Sequence, residues 1–277
     1  MKLASKKLLN IPNVLTIAGS DSGGGAGIQA DIKAMSANGV YAASVITAIT
    51  AQNTLGVNAI HDVPLDIIEA QIDAVLSDID CSALKIGMLS QSSVIQLVSE
   101  KIKQYDLQTV VLDPVMVATS GDQLLTEVAI DVLKKELIPQ ATVITPNLYE
   151  AAILSGLAPL ANQADMLDCA EKLICLGSDA VLLKGGHLQD EQSSDLLFSA
   201  DGDVEWFSSP RIASSNTHGT GCTLSSALCA FLAQGKSLAV ATKLAKEYTQ
   251  SAIQAADQLQ VGSGSGPVNH FAETIKI

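Results

Sequence analysis

The sequence predicts an α/β fold built from βαβ units around a mostly parallel sheet. Apolar runs rich in β-branched residues alternate with stretches of helical periodicity along most of the chain. Polar or glycine-rich residues follow these strand-like runs, as is typical where parallel strands end beside a ligand. The 277 residues contain no repeat, proline-rich linker or charge block. We therefore predict one domain over residues 1–277, with a flexible N-terminus at residues 1–12.

Composition and charge narrow the class of protein. Hydrophobic residues make up 48% of the chain and charged residues 16%, which supplies a buried core and argues against disorder. The net charge of −13, without a cluster of Lys or Arg, argues against nucleic acid or an anionic membrane as a partner. No signal-like apolar run precedes the first glycine-rich loop, and no segment reaches the roughly 18 apolar residues of a membrane-spanning helix. The five cysteines lack zinc-ligand spacing, so we expect a reducing cytoplasm and no structural zinc.

Strands and helices alternate up to Gly185. The predicted strands are Val14–Ala18, Ala43–Ile49, Ala83–Ile86, Thr109–Leu112, Thr142–Thr145 and Ala180–Leu183. The predicted helices are Gly27–Asn38, Leu65–Ser77, Gln91–Tyr105, Leu124–Glu136, Tyr149–Leu154 and Met166–Leu176. These helices connect parallel neighbours, which cannot be joined by a tight turn.

The pattern changes after Gly185. Two short strand-like runs around Asp201 and Gly202 predict a β-hairpin. Two longer helical stretches follow at Cys222–Ala233 and Leu238–Gln258. The glycine-rich tail "VGSGSGPVNHF" is either a frayed terminus or a loop that closes over a site, and the residues alone do not decide between the two.

Residues suited to chemistry follow the predicted strands. In parallel α/β sheets, ligands bind outside the carboxyl ends of the strands. The segments there are "GSDSGGGAG", "TAQNT", "GML", "DPVM", "TPNLYE" and "KGGH". They bring Gln52, Asp113, Asn147, Glu150 and Lys184 to one rim, which predicts a ligand site along it.

The loop "GSDSGGGAG", Gly19 to Gly27, joins the first strand to the first helix. It lacks the lysine of a Walker phosphate loop, and its glycine spacing departs from the dinucleotide fingerprint GxGxxG. A tight turn with positive φ angles explains the glycines without any ligand. Asp21 and Asp31 flank the loop, and Asp31 also suits the first turns of a helix, where a carboxylate complements the dipole.

A second glycine-rich segment, "NTHGTGCTLSSALCAF" from Asn216 to Phe231, leads into a helical stretch. The backbone N–H groups of Gly219 to Thr223 are expected to converge on an anion at the helix N-terminus. Cys222 falls in this first turn, where the helix dipole is expected to lower a thiol pKa. The alternative for Cys222 is a small buried hydrophobe, as for most free cysteines.

Two chemistries fit a cysteine in this position. Cys222 can be the nucleophile of a thiol hydrolase or transferase with His218 as its base. Alternatively, the first turn holds a transferring phosphoryl group and Cys222 accepts the proton of the attacking hydroxyl. The rim favours the second chemistry, because Asn147 and Glu150 suit hydrated Mg²⁺ near phosphates and Lys184 supplies positive charge.

Taken together, the segments resemble one known family. In order from Leu15 to Phe271, they are "AGSDSGGGAGIQADIK", "ITAQNTLGV", "KIGML", "VVLDPVM", "ITPNLYEA", "LLKGGH", "THGTGCTLSSA" and "GPVNHF". They are similar to segments of bacterial hydroxymethylpyrimidine/phosphomethylpyrimidine kinases of thiamine biosynthesis, which are ribokinase-like. The resemblance implies a three-layer α/β/α fold with a central, mostly parallel sheet. It also implies a homodimer that uses ATP and Mg²⁺ to phosphorylate the pyrimidine hydroxymethyl group and then the monophosphate.

The resemblance also implies roles for individual residues. Gln52 would hydrogen-bond the aminopyrimidine, and Cys222 would be the catalytic group. The other residues implied to line the pyrimidine pocket are Gly19, Asp31, Met88 and Val115. Asn147 and Glu150 would organise Mg²⁺, with water between. The implied phosphate contacts are Asp113, Thr217 and Lys184, together with an anion hole formed by Gly219, Thr220, Gly221 and Cys222. One residue departs from the family pattern: Gly23 stands where a serine is usual, and the lost hydroxyl would loosen a phosphate or substrate contact unless backbone N–H groups suffice.

Two rival functions remain open at this point. A pyridoxal kinase of the same fold acts on a similar hydroxymethyl group, but its relatives resemble "AMDP" where this chain has "AQNT". The amide of Gln52 matches the donor and acceptor edge of an aminopyrimidine, which favours the pyrimidine. A non-catalytic binding module would bind the pyrimidine without turning over ATP, and the presence of Lys184 and Glu150 argues against it.

Overall fold

Within the residues that the structure describes, a nine-stranded sheet forms the centre of the fold. The structure, a computed structural model, describes residues 11–116, 125–188 and 190–272. The strands are β1 Asn13–Asp21, β2 Tyr41–Asn53, β3 Gly56–Asp62, β4 Cys81–Ile86, β5 Val110–Leu112, β6 Val143–Ile144, β7 Ala180–Leu183, β8 Gln192–Ser199 and β9 Val204–Pro210. Their order in the sheet is β3-β2-β1-β4-β5-β6-β7-β8-β9.

The interior of the sheet is parallel and its edges are antiparallel. β2, β1, β4, β5, β6 and β7 pair in parallel, which confirms the predicted strands and the mostly parallel sheet. β8 pairs antiparallel with β7 and with β9, and Gly202 has a φ of 91° in the turn between β8 and β9, so the predicted hairpin is confirmed. The antiparallel strand β3, which extends β2 as a second hairpin, was not predicted. Most of its side chains are exposed, so it lacks the buried apolar run that identified the other strands.

The helices occupy the predicted connections. They are α1 Gly27–Ala37, α2 Leu65–Leu76, α3 Ser92–Gln104, α4 Glu127–Val132, α5 Leu148–Ser155, α6 Gln163–Ile174, α7 Thr220–Ala233 and α8 Leu238–Gln254. The prediction of a helix over Leu124–Glu136 is only partly right. Leu124 lies outside the described residues, the Thr126 side chain caps α4, and the chain continues as a π turn over Leu133–Leu137 and a 3₁₀ turn over Ile138–Gln140. The Pro139 ring fits this 3₁₀ turn but cannot continue an α-helix.

Two apolar clusters cover the two faces of the sheet. One cluster joins α2, α3, α4, α5 and α6 to residues such as Ile17 and Ile86 of the sheet. The other joins α1, α7 and α8 to residues such as Val14 and Ala83. Alternate residues of β1 and β4 therefore face opposite helical layers, as the period of two in a strand requires. Within the described ranges, no helix has the length and apolar character needed to cross a bilayer.

The glycine-rich tail is packed against the body of the protein. Gly264 N–H donates to Thr54 Oγ1 at 3.1 Å, and Gly266 N–H donates to Asn216 Oδ1 at 2.9 Å. Val268 and His270 beyond them are buried. The tail thus connects the end of β2 to the segment before α7, and a frayed terminus is the wrong alternative for residues 261–272. The predicted flexible N-terminus, residues 1–12, lies almost wholly outside the described residues.

Candidate active site

The carboxyl ends of the parallel strands converge beside the N-terminus of α7. β1 has β2 on one side and β4 on the other, so the order of strands in the sheet reverses at β1. In α/β sheets of this kind, the loops after the strands diverge at such a reversal and leave a crevice for a ligand. Of the predicted rim residues, Asp113 and Lys184 follow β5 and β7 directly, and Asn147 lies three residues after the end of β6. Asn147 and Lys184 also face each other in an isolated parallel bridge, which brings two of the predicted residues together.

Asp21 organises the glycine-rich loop after β1. Its carboxylate accepts N–H groups from Gly23, Gly25 and Ala26 at 2.8 to 3.0 Å. The side chain of His218 donates from Nε2 to Asp21 Oδ2 at 2.9 Å. Burial would raise the pKa of Asp21, but the hydrogen bonds from His218, Ala26 and Gly23 outweigh it and lower the pKa. Asp21 is therefore an anion that joins the loop after β1 to the segment before α7.

Gly23 lies in a crowded part of the same loop. A Cβ there would be 3.1 Å from Asp21 Oδ1 and 3.3 Å from Asn53 Cα, so a serine would have to displace these neighbours slightly. The Gly23 N–H is already used by Asp21. Glycine in place of the family's serine therefore avoids a tight contact with Asp21 and Asn53, and the Gly23 N–H keeps its hydrogen bond.

The N-terminus of α7 can bind an anion. The helix begins at Thr220, two residues earlier than predicted, with Gly219 as its N-cap. Thr220 N–H donates to the Thr217 carbonyl, whereas the N–H groups of Gly221 and Cys222 have no partner within the helix, as in any first turn. A Cβ on Gly221 would lie 3.4 Å from Lys184 Nζ. A lysine ammonium thus stands next to the open end of a helix.

Lys184 is held in place by Asp113. Its Nζ donates to Asp113 Oδ1 at 2.8 Å, and the same carboxylate accepts from Thr145 Oγ1 at 2.9 Å and from Ser225 Oγ at 3.3 Å. Burial would lower the pKa of Lys184, but Asp113 and Glu150 raise it. Burial would likewise raise the pKa of Asp113, but Lys184 and Lys85 lower it. Both groups are therefore charged at neutral pH. Thr145 and Ser225 were not predicted.

Asn147 and Glu150 form a capping box at the start of α5. Asn147 Oδ1 accepts from Glu150 N–H at 2.9 Å, and Glu150 Oε2 accepts from Asn147 N–H at 2.8 Å. The spacing N-x-x-E is thus explained first by helix capping. Burial raises the pKa of Glu150 to about 7 against the opposing effect of Lys184, and the nearby Asp113 contributes to the rise. In the part of the chain that is described, no group of three His, Cys, Asp or Glu side chains is arranged to hold a metal ion.

Cys222 is a neutral thiol in this environment. The prediction that the helix N-terminus lowers its pKa is wrong, because burial raises the pKa to about 11 even though Lys85 opposes this. His218 donates its Nε2 proton to Asp21 rather than to the sulfur. The pair required for a thiol hydrolase is therefore not assembled.

The residues implied to line the pyrimidine pocket fall into two groups. Gly19 and Met88 touch, since a Cβ on Gly19 would be 2.6 Å from Met88 Cε, and Val115 is half-buried beyond β5. Gln52 is half-buried at the end of β2, where its side chain lies 3.1 Å from Thr50 Oγ1 and 3.4 Å from His218 Nε2.

Asp31, which is also implied to line the pocket, is paired with a lysine. Its side chain is fully buried and forms an ion pair with Lys85 Nζ at 2.8 Å, and its contact with a substrate stays a prediction. Lys85 was not among the predicted site residues. The signal was available, since a lysine within the strand-like run Ala83–Ile86 must either reach a surface or be paired.

Comparisons with known proteins agree with this geometry. The sequence pattern of the phosphomethylpyrimidine kinase family matches residues 21–269. A hydroxymethylpyrimidine/phosphomethylpyrimidine kinase from Rhizobium meliloti is 53% identical over 257 residues, which are 93% of this chain and 96% of that one. The chain belongs to this kinase family.

Solved structures extend the comparison. A phosphomethylpyrimidine kinase from Clostridium difficile matches with a TM-score of 0.78 and 45% identity, over 87% of this chain and 99% of that chain. A Bacillus subtilis pyridoxal kinase in complex with ADP matches with a TM-score of 0.88 and 37% identity, over 95% of this chain and 98% of that chain. The fold is thus ribokinase-like, and kinases of this family and of the pyridoxal type share it.

Proposed function

We propose that this chain transfers the γ-phosphoryl group of ATP to 4-amino-5-hydroxymethyl-2-methylpyrimidine and then phosphorylates the resulting monophosphate, in thiamine biosynthesis. The observation that carries the proposal is the open first turn of α7. There the N–H groups of Gly221 and Cys222 lie beside the Lys184 ammonium. Developing negative charge on a transferring phosphoryl group is stabilised by such donors and cations.

Cys222 is proposed to accept the proton of the attacking hydroxymethyl group. The sulfur lies in the same turn as the anion-binding N–H groups, so a hydroxyl near the sulfur is also near the phosphoryl group. The alcohol oxygen bonds to the γ-phosphorus, the bond from that phosphorus to ADP breaks, and the alcohol proton goes to the sulfur. The pKa of about 11 already includes the favourable effect of Lys85, so this role uses the fraction of Cys222 that has released its own proton, which Lys85 raises.

Magnesium is proposed to bind through water near Asn147 and Glu150. Mg²⁺ takes one or two carboxylates together with water and phosphate oxygens, and this donor set suits the rim better than a cage of protein ligands. The Glu150 carboxylate already accepts a backbone N–H from Asn147, which fits contact through water. The ion would neutralise phosphate charge when bound.

Substrate choice is proposed to rest on Gln52. The side chain lies at the end of β2, across the glycine-rich loop from α7, and its amide offers both a donor and an acceptor. A site built for hydrogen bonds discriminates against ligands that leave them unmade, which favours an aminopyrimidine over pyridoxal.

The deciding experiment measures ADP release with hydroxymethylpyrimidine, its monophosphate and pyridoxal in parallel. We expect turnover with both pyrimidines and a lower kcat/KM with pyridoxal. A preference for pyridoxal would make the chain a pyridoxal kinase. Binding of the pyrimidine without ADP release from ATP and Mg²⁺ would make it a binding module.

A further inference from the structure

A buried ion pair lies behind Cys222. Asp31 of α1 and Lys85 of β4 have fully buried side chains, and Lys85 Nζ donates to Asp31 Oδ1 at 2.8 Å and to Oδ2 at 2.9 Å. Thr16 Oγ1 donates to Oδ2 at 2.6 Å, and Ser226 Oγ donates to Oδ1 at 2.7 Å. Each carboxylate oxygen thus accepts from a hydroxyl as well as from the ammonium.

Two neighbouring helices place this pair relative to the sulfur. The N-terminus of α1 packs against the N-terminus of α7, since a Cβ on Gly219, the N-cap of α7, would lie 3.4 Å from the Cα of Ala26, the N-cap of α1. Asp31 lies one turn beyond Gly27 on α1, Ser226 lies one turn beyond Cys222 on α7, and the two side chains are hydrogen-bonded. Four residues of an α-helix rise by about 6 Å. The Asp31 carboxylate and its ammonium partner therefore sit about one helical turn behind Cys222.

Lys85 also lies next to the proposed pyrimidine pocket. A Cβ on Gly87 would be 2.9 Å from Lys85 Nζ, and Gly87 directly precedes Met88. The ammonium is thus enclosed between Asp31 and the end of β4.

Stability alone does not account for an ion pair in this position. Desolvating both charges is costly, and apolar side chains of similar volume often replace a buried pair at no loss of stability. The charged groups around Cys222 are Lys85 on β4, Asp31 on α1, Asp113 after β5 and Lys184 after β7. Among those acting on the thiol, Lys85 has the largest effect and favours the charged form, whereas Asp31 and Asp113 act against it.

We infer that Lys85 and Asp31 are a positioning pair for Cys222: the ammonium favours the anionic sulfur, and Asp31, held by Thr16 and Ser226, fixes the ammonium behind it. The thiol proton leaves to solvent, and the thiolate is then the acceptor of the substrate proton. The part of the inference that concerns phosphoryl transfer rests on the proposed function. The effect on the sulfur does not.

The test measures alkylation of Cys222 by iodoacetamide as a function of pH, followed by mass spectrometry of the peptide that contains it. The main variant is the double variant Lys85→Met with Asp31→Asn, which removes both charges and keeps similar volumes. We expect Cys222 to react more slowly than in the wild type at one alkaline pH, by up to about tenfold, the effect of one pKa unit on the thiolate fraction, because the loss of Lys85 outweighs the loss of the opposing Asp31. The exposed Cys175 is the internal reference and should react at the same rate in both proteins.

A matched exchange in another ion pair controls for general effects. Lys101 pairs with Asp73 at 2.7 Å between α3 and α2, in the other helical layer, and Lys101→Met with Asp73→Asn should leave Cys222 alkylation unchanged. With hydroxymethylpyrimidine and ATP, the main variant should lower kcat while the KM for ATP stays constant. If the wild type does not turn over this substrate, the proposed function fails, and alkylation still tests the ion pair.

An unchanged pH dependence of Cys222 alkylation in the folded double variant would overturn the inference. If that variant does not fold, Asp31→Asn alone decides the question. It leaves the Lys85 ammonium without its counter-charge and should therefore speed the alkylation of Cys222. An unchanged or slower reaction would contradict the role of Lys85.

Discussion

Gly219 packs directly against the backbone of Gly25. A Cβ on Gly219 would overlap the Gly25 carbonyl oxygen, and Gly219 has a φ of 80°. The loop after β1 and the N-cap of α7 are thus in backbone contact, which only glycine permits. The two glycine-rich segments, which lie far apart in the chain, form one surface.

This contact predicts a large effect of Gly219→Ala. We expect a loss of stability well above the roughly 1–2 kcal/mol cost of a left-handed residue, because the methyl group also displaces the Gly25 carbonyl. Denaturant unfolding measures the loss. Gly235→Ala is the matched control, because Gly235 has a φ of 77° and a methyl group there would meet no atom of the described residues within 4 Å. Equal losses in the two variants would show that the contact with Gly25 is unimportant.

Cys222→Ala should lower kcat by a factor on the order of 10²–10⁴, the usual contribution of a positioned base. Cys222→Asp should recover part of this loss, since a carboxylate can accept the same proton. The measurement is kcat at saturating ATP and hydroxymethylpyrimidine, with Cys175→Ala as the control at an exposed cysteine. A covalent adduct trapped on Cys222, or an alanine variant as fast as the wild type, would contradict a proton acceptor.

Gln52→Leu should weaken pyrimidine use by about 1–3 kcal/mol in kcat/KM, because a buried polar partner is left unpaired. The KM for ATP should stay unchanged. Gln108→Leu serves as the control, since Gln108 is exposed before β5, at the opposite end of the sheet. Wild-type pyrimidine kinetics in Gln52→Leu would remove this residue from the site.

Glu150→Gln should raise the Mg²⁺ concentration needed for turnover and lower kcat, while the fold persists because glutamine can also complete a capping box. Since the pKa of Glu150 is about 7, its negative charge is lost as the pH falls through that value. Wild-type turnover at limiting Mg²⁺ should therefore decrease as the pH is lowered below 7, and turnover of the variant should not show this decrease. Glu247→Gln on the exposed face of α8 is the control. A normal Mg²⁺ titration in Glu150→Gln would exclude the assignment.

His270 predicts how stability depends on pH. Its Nε2 lies 3.0 Å from Thr223 Oγ1, and burial together with Lys33 lowers its pKa from 6.5 to about 4. A histidine with a lowered pKa contributes its full stability above pH 6.5 and loses it as the pH falls towards 4. The loss is at most about 3 kcal/mol, and His270→Gln should reduce it. Denaturant unfolding across this range measures the difference, with the exposed His61→Gln as the control. The same pH dependence in both variants would show that His270 does not titrate in this way.

The pKa values and hydrogen bonds of several site residues depend on neighbours that are distant in the sequence. The N-x-x-E spacing correctly placed Asn147 and Glu150 at a helix start, but their mutual capping bonds and the burial of Glu150 arise only when α5 packs beside Lys184. The position of Cys222 in a first turn was also predicted. The rise in its pKa was not, because desolvation depends on every element around the sulfur.

Local patterns along the chain were enough to predict the parallel interior of the sheet, the connecting helices, the β8–β9 hairpin and the position of the rim after the strands. Hydrophobic periodicity and glycine placement are local properties, so they can be read along the chain. Three features emerged only from the folded chain: β3 extends the sheet, the tail packs on Thr54 and Asn216, and Asp31 pairs with Lys85. The packing of the tail and the Asp31–Lys85 pair join residues distant in sequence, and β3 lacks a buried apolar run. The burial of a side chain and the pKa of an ionisable group depend on tertiary contacts, which the identity of the residue alone does not determine.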